Sequence, residues 1–509
     1  MNRAHTLLFL LYGFFLQCGA RKNVLFIIVD DLRPDLGCFR GADFPTHDDP
    51  PPHTPHMDAL AGSSLLVRRA YVQQAVCSPS RTSFLTGRRP DTTRVYDLET
   101  HFRSAGGNFT TLPQYFRNHG RRSIGIGKIF HQGIKDPLSW SEPDIYPGSS
   151  NWDRQNASWQ FVPDNLLHAN PLIDYKIAQS ATKKLGEFAT GGKYAHIPFF
   201  LAVGFIRPHL PFVSPASFGD LYPLNTLKLP SNNKAPVGMP EVAWFKSNEI
   251  RTQYEDIHRS SFTGEINNTI PNNIALDLRR AYYSAVSWVD SQVGVVLDEL
   301  NRLGLADSTV ISLVGDHGWQ LGEHGIWGKS TNFELATHAP MILKIPGLTD
   351  SGLSTRRIVE FVDLFPTLVE AVGLPKVSIC PENSAHVSTC TEGESFMPLV
   401  HNTSADWKHV AFSQYQRHQH RTNIMGYSLR TERYRYTEWP EFSYQTFKPD
   451  WTKLHGVELY DHTVDPDENH NRADDTAYAT LRANLSWRLH AGWRHASPSL
   501  HQAGPALVG

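Results

Sequence analysis

A chain of 509 residues with 40% hydrophobic and 19% charged side chains holds enough apolar material for a large core, which excludes a disordered or fibrous protein. Its formal net charge of −2 excludes attraction of a polyanion by overall charge, so an anionic partner must meet a local basic patch. The 25 histidines would make the surface more positive at mildly acidic pH, as suits an acidic compartment and an anionic polymer.

Residues 1–20 read as a secretory signal peptide. Arg3 precedes a short apolar run over 7–16, and Cys18-Gly19-Ala20 offers small residues for cleavage. The run is short of the ~20 residues needed to span a bilayer, and no later segment is longer, so no membrane association is expected. Of five cysteines, Cys18 leaves with the signal. Cys380 and Cys390 sit close together in a polar loop and are candidates for a local disulfide in an oxidising compartment. Cys38 and Cys77 either stay free or pair with each other. Sequons at Asn108, Asn156, Asn267, Asn402 and Asn484 fit glycosylation along the same route.

The run Val24-Leu25-Phe26-Ile27-Ile28-Val29 has the composition of a strand buried on both faces, and it ends in Asp30-Asp31. Two carboxylates there can be a solvated turn or a helix cap. At the carboxyl edge of an α/β sheet they would instead repel one another unless a cation sat between them. Residues 53–67 read as loop and helix, and 70–72 as a short β-like run. The stretch Cys77-Ser-Pro-Ser-Arg81 then leads into a helix with Pro79 near its first turn. Cys77 is thereby placed just before a helix N-terminus, where N–H groups favour an anion, and Arg81 adds a fork suited to a tetrahedral oxyanion.

Residues 112–119 read as a helix, and 123–127 as a small strand delivering Lys128 and His131. Residues 140–172 are loop-rich, and 177–188 form a weakly amphipathic helix. The apolar run 199–206 ends in Arg207-Pro208-His209-Leu210-Pro211, where prolines fix the backbone around His209. A long polar insertion covers 221–273. The stripe Leu278, Tyr282, Ala285, Val289, Val293, Val296 and Leu300 predicts a core helix over 275–303, stopped by Gly304. Residues 309–314 are a buried strand ending in Asp316-His317-Gly318-Trp319, 339–345 a further strand and 362–372 a helix. Beyond 403 the pattern changes to short strands at 409–415, 424–431, 434–439 and 457–460, then a helix over 478–490. The expected organisation is a 21–402 domain of α/β class followed by a smaller α+β domain with an antiparallel sheet over 403–509. There is no internal repeat and no nucleic-acid motif.

Four strand ends thus deliver Asp30-Asp31, Lys128 with His131, His209 and Asp316-His317, and the Cys77 turn is a fifth element. Asp30, Asp31 and Asp316 are hard oxygen donors suited to Ca²⁺ or Mg²⁺, with His317 either a ligand or a neighbour of one.

The pattern Cys77-x-Pro79-Ser80-Arg81 with Thr86-Gly87 resembles the type I sulfatase signature, within the alkaline-phosphatase-like superfamily. Further stretches carry the resemblance along the chain. They are Val29-Asp30-Asp31, Gly127-Lys128-Ile129-Phe130-His131, Pro208-His209-Leu210-Pro211, Asp316-His317-Gly318-Trp319, Gly322-Glu323-His324-Gly325 with Lys329, and Met425-Gly426-Tyr427-Ser428. The resemblance implies a large mixed sheet flanked by helices, and oxidation of Cys77 to formylglycine by a formylglycine-generating enzyme during secretion. It implies one Ca²⁺ held by Asp30, Asp31, Asp316, His317 and residue 77. Arg81, Lys128 and Lys329 would meet the sulfate and hydrate charge, His209 would be the general acid and His131 the base. Trp319 would wall the sugar pocket or belong to the core.

The reaction implied is removal of the 2-O-sulfate from iduronate units of heparan and dermatan sulfate, in the lysosome or outside the cell. Other readings are a different glycosaminoglycan or aryl sulfatase, a phosphodiester or phosphonate hydrolase on the same scaffold, and a non-catalytic binder of sulfated glycans. Residues 149–174 lack the cysteine pair that the resemblance leads one to expect, and 221–273 and 376–409 match loosely. These departures leave the chemistry intact and bear on which sugar is bound.

Overall fold

The apolar run after Lys22 forms the middle of a sheet that grows outward from it. The computed structural model describes residues 22–40, 51–154, 156–419 and 421–496, and the expected signal segment lies outside them. Seven strands make the main sheet: β1 (Asn23–Val29), β2 (Leu65–Tyr71), β3 (Arg122–Gly127), β4 (Phe199–Phe205), β5 (Thr309–Gly315), β6 (Met341–Lys344) and β7 (Leu353–Glu360). Their order is β7-β2-β6-β5-β1-β4-β3. β1 is parallel to β4 and β5, β3 to β4, and β7 to β2, whereas β6 is antiparallel to both neighbours. The expected large mixed sheet is therefore present.

The main helices are α1 (Cys77–Thr86), α2 (Leu112–Asn118), α3 (Ile173–Phe188), α4 (Asn248–Gln253), α5 (Asn272–Arg302), α6 (Leu364–Ala371) and α7 (Ala479–Ala491). Leu25, Ile27 and Val29 of β1 join the core formed with α3 and α5, while Val24, Phe26 and Ile28 join that formed with α1, α2 and α6. A strand covered on both faces has no polar side to alternate with, which is why β1 reads as an unbroken apolar run. Each of those side chains contributes about 2 kcal/mol by leaving water.

Three parts of the main sheet and its connections differ from the sequence reading. The helix expected within 53–67 occupies only Pro55–Ala61, and Leu65-Leu66-Val67 is already β2, buried against β6 and β7. β7 was not anticipated, because it is an edge strand whose partly exposed arginines Arg356 and Arg357 break the apolar pattern. The polar segment 221–273 is not all loop, since it contains α4.

Four antiparallel strands, β8 (Val410–Gln419), β9 (Thr422–Thr431), β10 (Tyr434–Ser443) and β11 (Lys448–Asp461), form the second sheet in chain order. Leu485 and Leu489 of α7 pack on its Leu429, Tyr436 and Leu459. Two buried ionic clusters lie at the junction of this sheet with the rest of the chain, the second reaching β8 through the Phe412 N–H on Glu360 Oε1. Glu334 pairs with Arg430 and Arg435, and Glu360 pairs with Arg89 and Lys408. Removing one partner of such a cluster costs about 3–5 kcal/mol, because the other charge is left buried and alone.

Cys380 and Cys390 form the expected disulfide, whereas Cys38 and Cys77 are both free. Asn108, Asn156, Asn267, Asn402 and Asn484 are all exposed. Among the described residues no helix is long and apolar enough to cross a membrane.

Candidate active site

The order β5-β1-β4-β3 places four parallel strand ends side by side, and their following residues share one edge. Asp30 and Asp31 follow β1, Asp316 and His317 follow β5, Lys128 follows β3, and His209 lies just beyond β4. Two glycines make the approach possible. A Cβ on Gly204 would lie 2.0 Å from the Lys128 carbonyl oxygen, so β3 and β4 could not converge with any other residue there. Gly87 ends α1 at φ +64, and its Cβ would meet Thr391 Oγ1 at 2.9 Å.

All ten residues of α1 are buried, and Cys77 is its first helical residue, one step further in than the sequence indicated. The Cys77 Sγ lies 3.5 Å from Asp30 Oδ1, 3.4 Å from His317 Nε2, 3.4 Å from Lys329 Nζ and 3.6 Å from Lys128 Nζ. His317 Nδ1 lies 3.0 Å from the Gly318 carbonyl oxygen, so it carries the proton and leaves Nε2 as a donor atom toward the carboxylates. That nitrogen is 3.4 Å from Asp31 Oδ1 and 3.5 Å from Asp316 Oδ2. Asp31 itself sits at φ +59, held there by its N–H on Asp316 Oδ1 and by the Tyr282 hydroxyl on its carbonyl oxygen.

Arg81 departs from the role read from sequence. Its Nε donates to Asp316 Oδ2 at 2.8 Å, Nη2 to Asp30 Oδ1 at 3.0 Å, and Nη1 to the carbonyls of Lys128 and Ile129. The guanidinium is fully buried, so its fork aligns the carboxylates instead of facing an oxyanion. The two lysines face the sulfur. Lys128 Nζ contacts Asp30 Oδ2, and Lys329 Nζ lies 2.7 Å from Asp31 Oδ1. Trp319 does not wall an open pocket. It is fully buried against Phe212 and offers its ring face to Lys329 Nζ at 5.2 Å, which makes it a floor for that lysine.

Burial raises the Asp30 carboxyl, but Lys128 and then Arg81 outweigh it and hold it well below the usual range. For Asp31, burial prevails over Lys329 and, with help from the Asp30 charge, pushes its carboxyl up to about 7. Burial also drives the Cys77 thiol well up, with Asp30 adding to it against both lysines. A thiol so disfavoured as thiolate is a poor nucleophile in its own right. His209 and His131 are each pushed down to about 4, first by burial and then by the nearby lysines. His131 makes no side-chain hydrogen bond to the cluster among the described residues, and its Nδ1 is buried without a partner.

Three carboxylates and three cations balance here, yet Asp31 Oδ2 is buried with no hydrogen-bond partner. Asp30, Cys77, Asp316 and His317 offer donor atoms that all lie within 4.8 Å of one another. Three hard carboxylates and one imidazole fit a single divalent cation. With it, the site would carry a net positive charge, suited to an anion.

Sequence reasoning missed Glu249. It reaches in from α4, placing Oε1 3.3 Å from His209 Nε2 and Oε2 3.7 Å from Lys329 Nζ. No local signal marks it, because α4 is short and its surroundings lack periodicity.

With the geometry established, comparison with known proteins gives a consistent result. Residues 22–374 match the sulfatase family profile, and residues 322–494 match that described as N-sulphoglucosamine sulphohydrolase, C-terminal. The chain is 38% identical to the iduronate 2-sulfatase of Homo sapiens over 89% of this chain and 91% of that one. It is 37% identical to the iduronate 2-sulfatase of Mus musculus over 91% and 93%. The phosphonate monoester hydrolase of Agrobacterium radiobacter superposes with a TM-score of 0.69 at 20% identity, covering 93% of this chain and 96% of that one, which shows a common fold.

Proposed function

The chain belongs to the sulfatase family, and from that premise we propose that it hydrolyses the 2-O-sulfate ester of iduronate units in heparan and dermatan sulfate. The observation that carries the reading is the meeting of Cys77 Sγ with Lys128 and Lys329 at 3.6 and 3.4 Å, beside three carboxylates and His317. The 38% identity to an iduronate 2-sulfatase over nearly the whole chain supports the choice of ester.

Asp30, Asp31, Asp316 and His317 would hold one Ca²⁺, with residue 77 beside it. The ion supplies Lewis-acid polarisation of oxygen, and formylglycine at residue 77 supplies a hydrate oxygen as nucleophile toward sulfur. The remaining work falls to side chains of the chain itself. Arg81 holds Asp30 and Asp316 in register. Lys128 and Lys329 grip sulfate oxygens in a site too dry for water to screen them. The ring of His209 is oriented by the Leu210 carbonyl oxygen, 2.6 Å from its Nδ1, so Nε2 is the atom turned toward the departing sugar oxygen, and it gives a proton there from the imidazolium form, which an acidic medium favours. His131, held neutral, accepts a proton when sulfate leaves.

The chain would reach this state in the secretory pathway, meet the formylglycine-generating enzyme there, carry glycans on some of the five exposed sequons, and work in the lysosome. The test is a panel of sulfated saccharides, with one aryl sulfate and one phosphonate ester. Iduronate 2-sulfate is expected to lead in kcat/KM. A faster sugar sulfated elsewhere, or a faster phosphonate, refutes the assignment. A peptide mass across residues 76–81 reads the oxidation of Cys77 directly.

A further inference from the structure

Glu249 has no part in the hydrolysis just described, yet it occupies the mouth of the site. Its carboxylate bridges the group facing the ester oxygen and a group facing the sulfate, 3.3 Å from His209 Nε2 and 3.7 Å from Lys329 Nζ, with 23% of the side chain exposed. Burial raises its carboxyl, but Lys329, then His209 and Lys128, outweigh it and keep the group ionised. A fixed negative charge beside an anion-binding site opposes the sulfate, and it makes no contribution to the four donor groups assigned to the cation. Such a charge is tolerable where it meets a neutral donor on the substrate.

The donor available in that place is defined by sugar chemistry. Vicinal oxygens on a sugar ring lie within hydrogen-bond distance of each other. A carboxylate in contact with the histidine that protonates the ester oxygen therefore also reaches the oxygen on the neighbouring carbon. We propose that Glu249 accepts a hydrogen bond from the free hydroxyl next to the sulfated carbon, selecting esters that carry that hydroxyl and rejecting those with a second sulfate there. This rests on the reading above, in which His209 faces the departing oxygen and Lys329 the sulfate. A hydroxyl given to a partly exposed carboxylate is worth about 10- to 100-fold in discrimination, and a vicinal sulfate meets direct like-charge repulsion.

The experiment compares wild type, Glu249→Gln and Glu249→Asp on three small substrates. These are a methyl iduronoside 2-sulfate, its 3-deoxy analogue and its 2,3-disulfate. In wild type the hydroxyl-bearing ester is expected to lead the deoxy ester by about 10- to 100-fold in kcat/KM. In Glu249→Gln that ratio falls to within about threefold, and the disulfate gains at least about tenfold relative to the monosulfate. Glu249→Asp keeps most of the preference. Unchanged ratios in Glu249→Gln, with or without an overall loss of rate, overturn the proposal, because they mean that Glu249 acts only through its neighbours. The identity of the sugar is judged on wild type alone, from the saccharide panel. Should another sugar lead there, the same trio built on that sugar still decides the role of Glu249.

Discussion

Replacing Arg81 by glutamine removes the side chain that, among the described residues, bridges Asp30 and Asp316. Four hydrogen bonds are lost or weakened, two of them to carboxylates at 3.0 and 2.8 Å, in a place where neither partner can reach water. Breaking a buried ion pair from one side costs about 3–5 kcal/mol. The roughly 460 described residues unfold with an entropy of about 1 kcal/mol per degree, so a cooperative melt should shift down by about 3–5 °C. The shift should depend on calcium. In chelator, Arg81 is a main counter-charge for these carboxylates and its loss is felt in full, whereas a saturating divalent ion supplies two positive charges to the same oxygens. Melting curves of wild type and Arg81→Gln, each in EDTA and in millimolar Ca²⁺, read both effects. A difference in Tm that is the same in the two buffers would refute the reasoning, since the carboxylates held by Arg81 would then not be those that hold the ion.

Cys77→Ser should lower sulfate release by at least about 10³-fold while moving Tm by less than about 2 °C, because the buried side chain keeps its shape and only the oxidisable sulfur is lost; a sulfate-release assay beside a thermal melt decides it, and wild-type turnover sinks the mechanism. Dialysis against EDTA should abolish activity, with Ca²⁺ restoring it and raising stability by about 2.7 kcal/mol at a hundredfold excess over Kd; retention of full activity in chelator contradicts the cation site. Burial pushes the Glu458 carboxyl up to about 7, despite hydrogen bonds from Trp439 and Tyr460. A raised carboxyl binds its proton more tightly in the folded state, so its stabilisation is complete below about pH 4.5 and is lost as pH rises through about 7. The stability of wild type relative to Glu458→Gln should therefore fall by roughly 3 kcal/mol from pH 4.5 to 7.5 in urea unfolding, and parallel pH curves would exclude this.

Much of the site was readable in one dimension because each of its parts is punctuation at the end of a recognisable element. Asp30-Asp31 and Asp316-His317 follow apolar runs with the composition of doubly covered strands, and Lys128 follows a small strand, Arg122–Gly127, at the sheet edge. Cys77 stands at the start of a helix whose stop, Gly87, is equally visible. Other features were not readable. Leu65 to Val67 has an apolar run that suits a helix or a strand, and only pairing with β6 and β7 makes it a strand. The guanidinium of Arg81 is as well suited to an external oxyanion as to internal carboxylates, and the choice depends on how deeply α1 is buried. Trp319 is an aromatic side chain after a site motif, and nothing local tells a pocket wall from a floor.

From the order of residues alone came the chemistry: hard oxygen donors, an oxidisable cysteine, cations for an anion, and histidines for protons. These are properties of side chains and of the elements they terminate, and they need no partner to be defined. The folded chain decided which of those groups touch. The order β5-β1-β4-β3 is set by strand pairing between segments up to nearly three hundred residues apart, and it brings Asp316 beside Asp30. The same packing swings Glu249 in from a segment with no pattern of its own. Contacts of that kind depend on the sum of many weak burial energies over the whole core, so no window of sequence contains them.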